Sequence, residues 1–111
     1  MRNTTDTKQK LKDKVSIITG AGSGMGKAIA LLFSSEGSKV VATDINKQRL
    51  DELKGEIEAK GGVVTTIVSD VANEEDVENM VKSATTTYGT LDILVNNAGI
   101  MDHFAPRGGA R

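Results

Sequence analysis

The chain has 111 residues, with 14 Lys and Arg set against 15 Asp and Glu, a net charge of -1, and no cysteine. A chain of this length makes one domain around one core, and its interspersed charges leave no basic stripe for nucleic acid or an acidic membrane. The lack of cysteine excludes disulfides, thiolate metal sites and thiol nucleophiles, and is compatible with a reducing cytoplasm.

Met1 to Lys14 is a polar lead-in without the apolar stretch of a secretory signal or a membrane span, so a cytoplasmic location is expected. Val15 to Thr19 reads as a short apolar strand, and after a glycine-rich turn Met25, Ala28, Ile29, Leu32 and Phe33 recur at helical spacing until Gly37. Lys39 to Thr43 forms a second strand ending at Asp44. Leu50, Leu53 and Ile57 then stripe a helix that Gly61-Gly62 stops. Val63 to Ser69 is a β-branched third strand, and Asn73 caps a helix carrying Val77, Met80, Val81 and Ala84 on one face until Gly89. Leu91 to Val95 supplies a fourth strand.

Strands alternating with helices of this length demand right-handed crossovers and hence a parallel sheet with helices on both faces. The expected fold is α/β: a truncated, Rossmann-like open parallel sheet of about four strands in the order 3-2-1-4. It occupies residues 15–104, with residues 1–14 as lead-in and 105–111 as a disordered tail rich in Arg and Gly. Strand four would be a sheet edge despite a composition suited to burial on both sides, which invites pairing with another chain or a homo-oligomer.

The turn Gly20-Ala21-Gly22-Ser23-Gly24-Met25-Gly26 lies between the first strand and helix. Glycines there permit a sharp reversal and let backbone amides and the helix dipole approach a pyrophosphate without an intervening Cβ. The spacing through Gly20, Gly24 and Gly26 differs from the commoner G-x-G-x-x-G. It also fails as a P-loop, because Ala28 stands where Ser or Thr is needed after Gly26-Lys27. A purely structural turn is the competing reading, and Lys27 is expected to be a solvated helix position.

Asp44, about 20 residues on, is placed to accept hydrogen bonds from an adenosine ribose and to repel a 2′-phosphate. That favours NAD over NADP, with Lys47 and Arg49 close enough to soften the preference. Asp70 could accept from an adenine amino group while Val71 packs on the ring, or could serve only the loop that enters the next helix. Asn96-Asn97-Ala98-Gly99 follows strand four at the edge where strand order reverses, where such sheets bind ligands. Its asparagines could equally tie strand ends together.

Together, Thr19 to Gly26, Asp44, Asp70-Val71 and Asn96-Asn97-Ala98-Gly99 resemble the short-chain dehydrogenase/reductase family, in the order of its cofactor-site motifs and over the N-terminal half of its pattern. The resemblance implies that Gly20, Ser23, Gly24 and Met25 hold a pyrophosphate and that Asp44 meets the adenosine ribose, with Gly26 and Ile45 also among the cofactor-binding residues. It puts Asp70 and Val71 at the adenine and Asn97, Ala98 and Gly99 on the nicotinamide side, with Asn96 stabilising the sheet. The family's reaction is hydride transfer between a nicotinamide and an alcohol or carbonyl, assisted by a serine, a tyrosine and a lysine four residues after the tyrosine.

None of that catalytic set maps here. Tyr88 is followed four places on by Asp92, and the sole histidine, His103, lies near the tail. The chain is therefore expected to bind NAD without turning over substrate. Two other readings are a non-catalytic nucleotide-binding or dimerisation module and a fragment of an S-adenosylmethionine-dependent methyltransferase. Against the latter, Ile17 and Ile18 stand where such an enzyme places an acid.

Overall fold

A computed structural model describes residues 10–70 and 72–97. Seven elements alternate along them: β1 (Val15–Ile18), α1 (Gly24–Ser35), β2 (Lys39–Asp44), α2 (Lys47–Ala59), β3 (Val63–Val68), α3 (Glu74–Tyr88) and β4 (Ile93–Val95). The strands form one parallel sheet in the order β3-β2-β1-β4, as the crossover argument predicts.

The alternation of side chains along each strand divides the expected single core into two clusters, one on each face of the sheet. Ile18, Val40, Ala42 and Val64 pack with Ala30 of α1 and with Leu50, Leu53 and Ile57 of α2. Val15, Ile17 and Val41 face the opposite way, onto Met80 and Ala84 of α3. Every residue of β1 is buried, because both sheet faces are covered there. The one polar member, Ser16, shares a 2.8 Å hydroxyl hydrogen bond with Ser38, whose hydroxyl also donates to the Lys14 carbonyl.

Helix termini follow local chemistry. Asn46 caps α2 by accepting from the Arg49 amide at 3.0 Å, and Asn73 caps α3 by accepting from Glu75 and Asp76. Gly89 closes α3 in the left-handed conformation at φ 90°, the use for which a glycine past a helix end is suited.

Three details depart from the sequence reading. Met25, Ala28 and Leu32 of the proposed α1 stripe are exposed, and the buried positions are Gly26 and Ala30. Close packing of a helix on a sheet favours small residues at the contact, which a hydrophobicity count overlooks. The fourth strand starts at Ile93, since Asp92 binds the start of β1 at both ends: its amide donates to the Val15 carbonyl and its carboxylate accepts from the Val15 amide, each at 2.9 Å. Lys27 is not simply solvated. Its Nζ lies 2.8 Å from Glu56 of α2, and this hydrogen bond and charge hold the lysine above its usual pKa.

Candidate functional site

At the carboxyl end of the sheet the chain leaves β1 towards β2 on one side, while β4 returns on the other, so a crevice opens where the connections diverge. The glycine turn lies at this point, and its glycines do two kinds of work. Gly20 and Gly24 have φ of 63° and 60°, a backbone conformation that side-chain-bearing residues rarely adopt.

Gly22 and Gly26 are needed for clearance. A Cβ on Gly22 would sit 2.8 Å from Asp44 Oδ2 and 2.9 Å from Arg49 Cβ. One on Gly26 would collide with the Gly20 carbonyl oxygen and come 2.9 Å from Asn97 Nδ2. Around Gly24 no atom of the described residues lies within 4 Å in the equivalent direction.

The first turn of α1 differs from those of the other two helices. Ser23 occupies its N-cap position with extended backbone but makes no side-chain cap hydrogen bond. Amides at the start of a helix lack intrahelical acceptors. Here the cap side chain does not satisfy them either, and the first turn contains no acidic residue. The result is a concentration of positive partial charge at the crevice.

Asp44 ends β2 beside this turn. Its Oδ2 accepts from the Gly22 amide at 2.8 Å and its Oδ1 from the Asn46 amide at 2.9 Å, so the carboxylate is fixed against the loop from two sides. A carboxylate has about four acceptor directions, which leaves capacity for hydroxyl donors. Ile45, next in sequence, is 72% exposed and Met25, in the glycine turn, is 70% exposed.

On the β4 side, Asn97 Nδ2 approaches the Gly20 carbonyl at 3.5 Å, and the Thr19 hydroxyl donates to Asn96 Oδ1 at 3.2 Å. The second contact is the strand-tying role anticipated for Asn96. Asp70 follows β3 at the same edge, where its Oδ1 accepts from the Ala72 amide at 2.9 Å and its own amide donates to Asp76. The loop-forming role of Asp70 is thus realised, with its second carboxylate oxygen beyond that bond.

The fold accordingly unites Gly20, Ser23, Gly24, Met25 and Gly26 with Asp44 and Asn97. Val71, Ala98, Gly99 and His103, with the 105–111 tail, lie outside the described residues. Tyr88 is part of the structural core: its hydroxyl is 2.7 Å from the Thr65 hydroxyl and its ring packs with the α3 cluster.

One residue has a larger part than its spacing suggested. Arg49 extends from the first turn of α2 to place Nη1 3.3 Å from Ser23 Oγ. The available signal was positional, since a helix beginning directly after Asp44 must present its first turn to the same crevice.

These features define a Rossmann-like α/β domain with a glycine turn at its switch point. A model of the family described as short chain dehydrogenase matches residues 14–108, and the chain belongs to that family. It is 46% identical over 91 residues to the 3-oxoacyl-(acyl-carrier-protein) reductase FabG of Thermotoga maritima, covering 82% of this chain and 37% of that protein. To 3beta-hydroxysteroid dehydrogenase 2 of Eggerthella lenta it is 43% identical over 96 residues, covering 86% of this chain and 37% of the relative.

Among solved structures, a hydroxysteroid dehydrogenase from Escherichia coli superposes with a TM-score of 0.77 at 37% identity, over 81% of this chain and 38% of that one. The chain therefore spans well under half the length of these relatives. Family membership also displaces the methyltransferase reading.

Proposed function

We propose that this chain forms the NAD(H)-binding part of an oxidoreductase that moves hydride between a nicotinamide and an alcohol or carbonyl. The observation that carries the reading is the unfilled first turn of α1, facing open space beside Gly24, with Asp44 fixed 2.8 Å from the Gly22 amide. An anionic diphosphate suits that turn, and ribose hydroxyls suit the remaining acceptor capacity of Asp44.

In this reading Gly20, Ser23, Gly24, Met25 and Gly26 receive the pyrophosphate and Asp44 and Ile45 the adenosine ribose. Asp70 and Val71 receive the adenine, and Asn97, Ala98 and Gly99 border the nicotinamide. The bound cofactor supplies a hydride acceptor or donor. The chain's own residues contribute binding and orientation, and the direct acceptor role of Asp44 favours NAD over NADP.

Proton transfer has no residue assigned to it among the described positions. Tyr88 is engaged with Thr65 and has Asp92, not lysine, four places later. Substrate turnover is accordingly ascribed to a longer protein that carries this part, and a soluble, cytoplasmic setting fits the charge-mixed surface. A second reading, chain pairing through β4, is favoured by one observation: this edge strand of three residues carries Leu94 at 52% exposure.

NADH fluorescence titration tests the main reading. The native chain is expected to bind. Gly24→Asn, which tolerates the left-handed backbone but fills the open space, should weaken binding at least about tenfold, and Asp44→Ala should weaken NAD more than NADP. Unchanged affinity in Gly24→Asn would remove the pyrophosphate assignment.

A further inference from the structure

The crevice occupies the carboxyl end of the sheet, and a second recess lies at the amino end. A cavity of about 470 Å³ opens where the chain leaves α1 for β2 and α2 for β3, with Leu31, Ile57 and Val63 as its apolar wall. α1 begins at the crevice and is 12 residues long, so the two sites are separated by about 18 Å of helix.

Both helices end in the same way at this cavity. The Gly37 amide donates to the Ser34 carbonyl and the Ser38 amide to the Phe33 carbonyl, each at 3.0 Å. In the same pattern, the Gly61 amide donates to Glu58 at 3.0 Å and the Gly62 amide to Ile57 at 2.9 Å. With Gly37 and Gly61 at φ 96° and 84°, these are two Schellman closures side by side. They occupy carbonyls through which a helix end attracts cations. Gly62 adds a steric condition, since a Cβ there would collide with Ser34 Oγ and come 2.7 Å from Ile57 Cγ2.

The side-chain polar groups left at the cavity are donors. Of the three serines that line it, Ser38 is engaged with Ser16 and the Lys14 carbonyl, and Ser35 donates to the Leu32 carbonyl at 2.7 Å. The hydroxyl of half-buried Ser34 has no hydrogen-bond partner among the described residues. Lys60, the C-cap of α2, also lines the cavity and has no carboxylate within 4.0 Å among those residues, whereas Lys27 and Lys47 are each paired at 2.8 Å.

A volume of about 470 Å³ falls within the range of small-molecule sites, roughly 300–1,000 Å³. An aliphatic wall with one ammonium and one hydroxyl calls for a ligand with an apolar body and a single anionic head. A carboxylate can accept from both donors, while the three oxygens and nearly double charge of a phosphate ester would be left underpaired. Val63, 46% exposed, is apolar surface that such a body would cover.

We propose that this cavity binds a small carboxylate with an apolar body, its head held by Lys60 and Ser34 and its body against Leu31, Ile57 and Val63. The site is independent of the dinucleotide reading and lies at the opposite end of the sheet from it.

NMR titration of the chain with octanoate, and with octanol as the uncharged probe, tests the proposal. Octanoate should bind with a Kd below about 1 mM and shift the Gly37, Gly61 and Gly62 amide resonances while leaving those of Gly22 and Gly24 in place; octanol should bind at least about tenfold more weakly. Lys60→Gln should weaken octanoate about tenfold and octanol less than about twofold, and Ser34→Ala should weaken octanoate about threefold. Resonances away from the cavity report whether each variant keeps its fold.

Absence of octanoate binding, equal affinity for the two probes, undiminished octanoate binding in Lys60→Gln, or displacement of bound NADH by octanoate would overturn the carboxylate site. Shifts of the same amides with protein concentration alone would assign the cavity to a second copy of the chain and overturn it as well. The dinucleotide reading is decided separately, by the NADH titration.

Discussion

Glycine at four positions of one short turn answers two separate physical demands. Gly20 and Gly24 satisfy backbone torsion, whereas Gly22 and Gly26 make room for neighbouring atoms. The two classes respond differently to substitution. At Gly26 an added methyl meets the Gly20 carbonyl group and the Asn97 amide, and backbone cannot yield as a flexible side chain does. Gly26→Ala is expected to destabilise the fold by about 1–3 kcal/mol. Gly55, inside α2, has no atom of the described residues within 4 Å of the same direction, and Gly55→Ala should stabilise by about 0.5–1 kcal/mol through helix propensity. Urea midpoints of the two variants check the contrast, and like signs would contradict it.

At the scale of elements, the three helices divide by what happens at their first turns. α2 and α3 have their leading amides met by Asn46 and Asn73, and α3 adds Glu74, Glu75 and Asp76 in its first turn. α1 has neither arrangement, although a serine stands at its N-cap. The Ser23 hydroxyl instead accepts from Arg49 Nη1 at 3.3 Å. Asn73→Ala should therefore cost about 1 kcal/mol of stability, while Ser23→Ala should cost close to nothing in the absence of ligand. Thermal unfolding of both variants decides the matter, and equal losses would mean that Ser23 caps α1 in solution.

For the molecule as a whole, the sheet among the described residues has two edge strands, β3 and β4. β1 is buried on both faces, yet β4 next to it is short and half-covered, with Leu94 in register with Ile17 but 52% exposed. Backbone groups on its outer side and an exposed leucine are what another strand would recruit. Light scattering across a concentration series should show self-association that Leu94→Lys diminishes; a mass independent of concentration in the native chain would dismiss pairing through this edge. No helix among the described residues is long and apolar enough to cross a membrane.

Much of this architecture was legible from local pattern. The β-branched runs, the Asn46 and Asn73 caps and the glycine stops depend on residues within a few positions of one another, and their positions in sequence forecast four strands, three helices and the 3-2-1-4 order. The family-specific motifs were likewise read as a set, because their spacing is imposed by the alternation of strand and helix.

Sequence by itself determined the elements, their order and the residue types gathered at one sheet edge, since backbone torsion, capping and burial periodicity are short-range effects. Only the tertiary structure decided which α1 residues meet the sheet, that Lys27 pairs with Glu56, that Asp92 anchors the start of β1 and that Arg49 reaches Ser23. Those outcomes depend on distances between elements far apart in the chain, and such distances are fixed by how closely the small residues let helix, sheet and turn approach.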